Sequence, residues 1–233
     1  MDLETNCWTA VDELNPTIAL LPVGSTEQHG PHAPVGTDTT IAREIAAEAD
    51  RNTAPESLVL PAVPVGVAPY HATFPGTLTV TAETLRRYVR EIVCSLTDSS
   101  IETVILVNGH GGNGQTLAEI ARTCTQTTSL DVYSWEWMRA LEDDVGHAGE
   151  LETSLLLALC PETVGEPAAG DATAWNDTVD GGVVHHFTDG FSENGAVGDA
   201  TDSSARQGAD VFETVTGALV SFLERVGSKS SSR

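Results

Sequence analysis

Lysine is almost missing: one residue, Lys229, stands among 233. With 34 acidic residues against 11 basic ones the formal charge is −23, and the acidic groups are spread along the whole chain rather than gathered in a tail. A field of that sign repels nucleic acid and anionic membrane, so neither is an expected partner. An acidic, lysine-poor surface reads instead as a halophilic adaptation to a high-salt cytosol, where screening removes most of the self-repulsion. No CxxC pair occurs. Cys7, Cys94, Cys124 and Cys160 lie far apart, three of them inside apolar helical patterns, which excludes zinc knuckles and a disulfide framework and predicts buried thiols. The first residues, Met1-Asp-Leu-Glu-Thr, have no basic or apolar leader character, and no run approaches roughly 18 apolar residues, so the expectation is a soluble cytoplasmic protein. No internal repeat is visible, and the length suits one domain, expected over 1–226 with a polar, disordered tail at 227–233.

What is present is an alternation of apolar runs and helical patterns. Strands are predicted at Thr17 to Val23, Leu58 to Val63, Thr103 to Val107 and Leu130 to Trp135. Helices are predicted at Thr40 to Ala49, from about Ala82 through Leu96, at Gly114 to Cys124, at Leu151 to Leu159 before Pro161, and around Val211 to Leu223. Pro64 to Gly76 reads as a loop. From Gly165 to Gly198 periodicity fades, with a hairpin expected around Val183 to Phe187. Continuously apolar strands in succession with helices predict an α/β fold with three αβα layers and a mostly parallel sheet covered on both faces.

Two segments at strand ends carry most of the chemistry. The first is Gly24-Ser-Thr-Glu27-Gln-His29-Gly30-Pro-His32, with Asp38 shortly after; the second is Asn108-Gly-His110-Gly-Gly-Asn113. Ligands bind at the carboxyl ends of strands in such sheets. A Glu-x-His pair in a loop can aim both side chains at one point, Asp38 can bridge two ions, and glycines let the His110 backbone come close. Nitrogen and oxygen donors without thiolate suit Zn²⁺, Mn²⁺ or Fe²⁺, and two such ions about 3.5–4 Å apart would share a hydroxide. Residues 109–114 also satisfy GxGxxG after a strand, as an NAD-binding oxidoreductase would. Its ribose-binding acid would have to be Asp131, which opens a strand instead of closing one, and the reading leaves Glu27, His29, Asp38 and His147 without purpose.

These segments, with Thr37-Asp38-Thr39, Phe74-Pro-Gly-Thr77, His147-Ala-Gly-Glu-Leu-Glu152-Thr-Ser154 and Asn194-Gly-Ala-Val-Gly-Asp199, resemble the creatininase family of metal-dependent amidohydrolases, in order and over nearly the whole chain. The resemblance implies hydrolysis of a linear or cyclic amide C–N bond by a hydroxide held on two divalent ions. It places Glu27, Asp38 and His110 on one ion and His29 with the shared Asp38 on the other, with Glu152 as a further ligand or a residue behind the ligands. His147 then polarises the scissile carbonyl or protonates the leaving nitrogen. A small-molecule amide and a homohexamer are implied partners. His71, Thr77 and Gly111 are expected at the substrate pocket. His32 is expected to orient a ligand through its other nitrogen. Trp135 and Trp137 either lid the pocket or fill the core, and His185 and His186 are expected at the surface.

Creatinine-hydrolysing members of the family carry a Tyr and a metal-binding Glu where this chain has Gly111 and Gly112. That argues against creatinine and for a larger amide, either a formylamino-pyrimidine nucleotide, as in the deformylases of flavin and deazaflavin synthesis, or a peptide, as in mycofactocin maturation. The Glu-Gln-His, Phe-Pro-Gly-Thr and Glu-Thr-Ser segments are closer to the creatininase and mycofactocin side.

Overall fold

The computed structural model describes residues 1–53, 57–142, 145–172, 175–179, 182–185 and 187–230. Four strands, β1 (Ile18–Val23), β2 (Ser57–Val59), β3 (Thr103–Asn108) and β4 (Asp131–Glu136), form one sheet in the order β2-β1-β3-β4. All three pairings are parallel. Val23 is level with Asn108, and Asn108 with Glu136, so the chain leaves β1, β3 and β4 along one edge.

Alternate residues of each strand feed opposite layers, as the period of two requires. Ala19, Leu21, Val104 and Leu106 pack against Leu85, Val89 and Val93 of α3 (Ala82–Cys94) and Leu117, Ile120 and Cys124 of α4 (Gly114–Thr127). Ile18, Leu20, Ile105 and Val107 face Ile41 and Ile45 of α2 (Thr37–Asn52), Leu155 of α5 (Glu150–Leu159) and Val215, Leu219 and Leu223 of α6 (Ala205–Ser230). Both faces are therefore covered, in three layers. A short N-terminal helix, α1 (Trp8–Leu14), has no clear periodic signal in the sequence, and it buries none of its residues.

Several expectations need correction. β2 ends at Val59 instead of Val63, because after Leu60 N donates to Leu20 O the next rung would need an N–H from Pro22 of β1, which has none; only the isolated Val23 to Val63 bridge remains. α6 runs to Ser230, into the segment expected to be a tail, since Val226 is buried and anchors its last turns. Of the cysteines only Cys124 is buried; Cys7 is exposed, and Cys94 and Cys160 are partly so. The expected hairpin exists, between β5 (Asn176–Val179) and β6 (Gly182–His185), a few residues earlier than predicted. His186 lies outside the described residues, as does the side chain of His185.

Candidate metal centre

The loops leaving the carboxyl edge of the sheet converge because glycine allows their backbones to touch. A Cβ at Gly109 would sit 2.1 Å from the Asp38 carbonyl oxygen, so only glycine lets the end of β3 abut the first turn of α2. Asn108 clamps the residue two positions on, donating to His110 O at 2.8 Å and accepting from His110 N at 3.1 Å. Asn113 donates to Gly24 O and accepts from Val67 N, both at 2.9 Å, which ties the exits of β1 and β3 to the loop before α3.

Seven predicted residues meet here: Glu27 and His29 after β1, Asp38 on α2, His71, His110 after β3, His147, and Glu152 in the first turn of α5. All are buried. His110 Nδ1 lies 3.2 Å from Glu27 Oε1 and 3.3 Å from Asp38 Oδ2. His29 Nε2 lies 3.1 Å from Asp38 Oδ1 and 3.9 Å from Glu152 Oε1. Asp38 thus stands between two imidazoles, one on each oxygen. Ligand atoms of Glu27, Asp38 and His110 lie within 4.8 Å of one another, as do those of His29, His147 and Glu152.

Both Glu27 oxygens, Asp38 Oδ2 and His29 Nε2 are buried without a hydrogen-bond partner among the described residues. Leaving such atoms unmade is costly, and two cations bridged by Asp38 would satisfy them together. The ring tautomers agree. His29 Nδ1 faces the Glu27 carbonyl at 3.1 Å and His110 Nε2 faces the Val67 carbonyl at 3.2 Å, so the opposite nitrogen of each ring is turned toward the carboxylates. The donor set therefore fits two hard-to-borderline divalent ions.

Electrostatics divide the histidines into two kinds. Burial opposes a charge on His29, but the Asp38 carboxylate outweighs it and lifts the ring to about 10. His110 is likewise raised well above its ordinary value, Glu27 and Asp38 overcoming burial. His147 is pushed well below by burial and by the His29 and His71 rings, and His71 falls to about 3 through burial and the neighbouring His29 and His110. Burial raises the Glu152 carboxyl to about 7. His29 and His110 are the rings a metal would deprotonate; His147 and His71 are neutral throughout.

His147 is fixed from one side. Its Nε2 donates to the Gln28 carbonyl at 2.8 Å, leaving the Nδ1 lone pair 3.7 Å from Glu27 Oε1. The loop that carries it is braced by Ala148, a non-glycine residue at φ 53°, whose N–H donates to Glu152 at 2.6 Å. His71 is packed behind Glu27, Nε2 at 3.4 Å, and does not line the cavity. Thr77 spends its hydroxyl on the Gln28 N–H at 3.1 Å. Gly111 does line the cavity. His32 binds Thr153 Oγ1 through Nε2 at 2.9 Å, bracing the first turn of α5. Trp137 is fully buried, its Nε1 donating to Gly109 O at 3.4 Å, and Trp135 packs partly buried against the same layer, so both are core.

Above the carboxylates opens a cavity of about 370 Å³. Besides the cluster it is walled by Tyr70, Gly111, Gly112, Met138, Gly146 and Trp175. Trp175 stands edge-on to Tyr70 at 5.8 Å and tilted against His147 at 5.5 Å. Sequence reasoning overlooked Tyr70, Met138 and Trp175. Gln28 was also passed over, although its side-chain amide donates to Gly195 O at 2.8 Å and lies 2.9 Å from both His71 Nδ1 and His147 Nε2.

The family described as creatininase, creatinine amidohydrolase, matches residues 4–223. The chain belongs to the creatininase family. Its GxGxxG segment serves the metal-site geometry, with Asp131 at the opening end of β4, so the dinucleotide reading is set aside. Among the family's proteins, the chain is 35% identical over 216 residues to a mycofactocin precursor peptide peptidase of Mycolicibacterium smegmatis, covering 86% of this chain and 82% of that one. It is 27% identical over 173 residues to a creatinine amidohydrolase of Pseudomonas putida, covering 63% and 66% respectively. A solved structure titled creatininase Mn superposes with a TM-score of 0.84 over 96% of this chain and 97% of that one, at 20% identity. Another, a mutant creatininase of Zn-Zn type, gives 0.85 at the same identity, covering 96% and 97%. The creatininase fold and a hydrolase of that family are thereby established. No helix among the described residues is long and apolar enough to cross a membrane.

Proposed function

We propose that this creatininase-family hydrolase cleaves the amide C–N bond of a substrate larger than creatinine, a peptide near its C-terminus. The observation that carries this is the cavity wall: three glycines, Met138, Tyr70 and Trp175 make a wide, mostly apolar and aromatic chamber, and among the described residues no Arg or Lys lines it. A nucleotide phosphate would enter without a cation to meet it, whereas apolar peptide side chains gain by burial there. Relatives named as peptide peptidases point the same way.

Glu27, Asp38 and His110 would hold one divalent ion, and His29, Asp38 and Glu152 the second, as Zn²⁺, Mn²⁺ or Fe²⁺. When bound, such ions polarise the scissile carbonyl and acidify a water. The protein's own part is to place and move protons. His147, neutral and held through Nε2 on the Gln28 carbonyl, takes at Nδ1 the proton that the attacking water loses, then delivers it to the departing nitrogen. Asp38 fixes both ligand rings, and the apolar wall excludes bulk water around the reacting bond. A homohexamer is the assembly carried over from the family resemblance, and light scattering reads it directly.

Protein loaded in turn with each of the three metals should bind close to two ions per chain and release the C-terminal residues of peptides with apolar ends, with poor or absent creatinine turnover. Efficient conversion of creatinine to creatine would refute the substrate assignment. A metal-replete preparation without bound metal would refute the hydrolytic centre.

A further inference from the structure

Tyr70 sits in the short turn Pro69–His71, its ring held edge-on to His71 at 4.6 Å and to Trp175 at 5.8 Å. Its hydroxyl oxygen is 3.2 Å from His110 Nε2, and that nitrogen is also 3.2 Å from the Val67 carbonyl oxygen. A carbonyl can only accept, so Nε2 carries a hydrogen whether the ring is neutral or charged. The phenol oxygen therefore accepts from His110. Its own hydrogen has no acceptor among the described residues, and Tyr70 lines the cavity beside Glu27, Asp38 and His110. Gly112 fits this arrangement: a Cβ there would lie 2.3 Å from the phenol oxygen and 2.5 Å from His110 Nε2. The hydroxyl thus occupies the volume that a side chain at 112 would need.

We propose that Tyr70 is a catalytic residue that donates its hydroxyl hydrogen to the carbonyl oxygen of the substrate amide, strengthening that bond as the oxygen gains negative charge. The inference rests on the amidohydrolase reading for its substrate but on the geometry around His110 for its donor. No covalent bond to Tyr70 forms, and the phenol keeps its proton. Acceptance from His110 polarises the O–H, so the donor is both oriented and strengthened before substrate arrives. Glycine at 112 and tyrosine at 70 are on this account one device, a neutral donor standing over the cavity in place of a longer side chain.

The test is Tyr70→Phe, which removes one oxygen and keeps the ring contacts. In Mn²⁺-loaded protein the variant should keep its metal content and thermal midpoint while kcat on a C-terminally apolar peptide falls about 10²–10³-fold, as for loss of one oxyanion donor, with KM nearly unchanged. Independently of turnover, calorimetric binding of benzhydroxamate, whose anionic oxygen stands in for the developing oxyanion, should weaken about 10- to 100-fold. Unchanged benzhydroxamate affinity overturns the proposal, and so does loss of metal, which would make Tyr70 a support for His110 alone. If the wild type cleaves no amide yet Tyr70→Phe still weakens benzhydroxamate, the donor stands and the amidohydrolase reading fails.

Discussion

Gly111 and Gly112 are neighbours in sequence and opposites in surroundings, which makes alanine at each a paired test of the site's geometry. A Cβ at Gly112 meets the Tyr70 hydroxyl at 2.3 Å, His110 Nε2 at 2.5 Å and the Val67 carbonyl at 2.6 Å, each an ångström or so inside contact distance. The tyrosine tip can swing, but the carbonyl is backbone and the imidazole is held on both sides, so the added methyl must displace the loop. Overpacking of this kind costs about 1–3 kcal/mol. In a chain of this size each kcal/mol lowers the thermal midpoint by about 2–4 °C. At Gly111 a Cβ meets nothing within 4 Å, and loss of unfolded-state freedom should raise stability by about 0.4–1 kcal/mol. Calorimetric melting of the metal-free proteins separates the two effects from metal binding, and titration with Mn²⁺ then reads the disturbance of His110. Gly112→Ala should melt lower and bind metal more weakly; Gly111→Ala should melt at or above the wild type and change only substrate preference. Equal midpoints for the two variants would mean that the phenol, imidazole and carbonyl are not packed as described.

Metal uptake at neutral pH should expel protons from His29, raised to about 10 by the Asp38 carboxylate against burial, and from His110, raised well above its ordinary value by Glu27 and Asp38; heats identical in buffers of different ionisation enthalpy would refute it. In the metal-free protein the sign is the reverse of a carboxylate's: the raised His29 stabilises fully below its unfolded value of 6.5, and that contribution disappears as pH climbs through about 10, which acid-to-alkaline melting curves will show. His147→Ala should retain metal and lose turnover about 10²–10⁴-fold; loss of metal would make it a ligand. Asp38→Ala should lose both ions by elemental analysis, since one carboxylate serves both rings. Thermal midpoints should climb with KCl as the Debye length shrinks from about 10 Å at 0.1 M to about 3 Å at 1 M, and a flat profile would remove the halophilic reading of the −23 charge.

The sheet was legible because β1 and β3 are buried on both faces and so are apolar at almost every position, a pattern that needs no partner to be recognised. The candidate ligands stood out in the sequence because their types are chemically rare together and flank strand ends. What escaped depends on contacts distant in sequence. Tyr70 and Trp175 stand on non-periodic segments, where an aromatic ring carries no sign of which wall it will join. Gln28 lay hidden between two candidate ligands, and its part is visible only once His71, His147 and Gly195 surround it. Cys7 was misread because the lack of a CxxC partner says only that a thiol is unpaired, and this one caps a short helix that buries none of its residues. The extra turns of α6 turn on Val226 finding a pocket, a tertiary fact.

The candidate ligands come from four separate stretches that meet only where the strands end level with one another. The β1–α2 unit alone offers Glu27, His29 and Asp38, and His110 joins them only when β3 pairs beside β1. Divalent ions bound there would therefore favour the finished fold over its intermediates, acting as a proofreader of topology: a β3 shifted by one residue against β1 would withdraw His110 from Glu27 and Asp38 and forfeit the ion that those three would share.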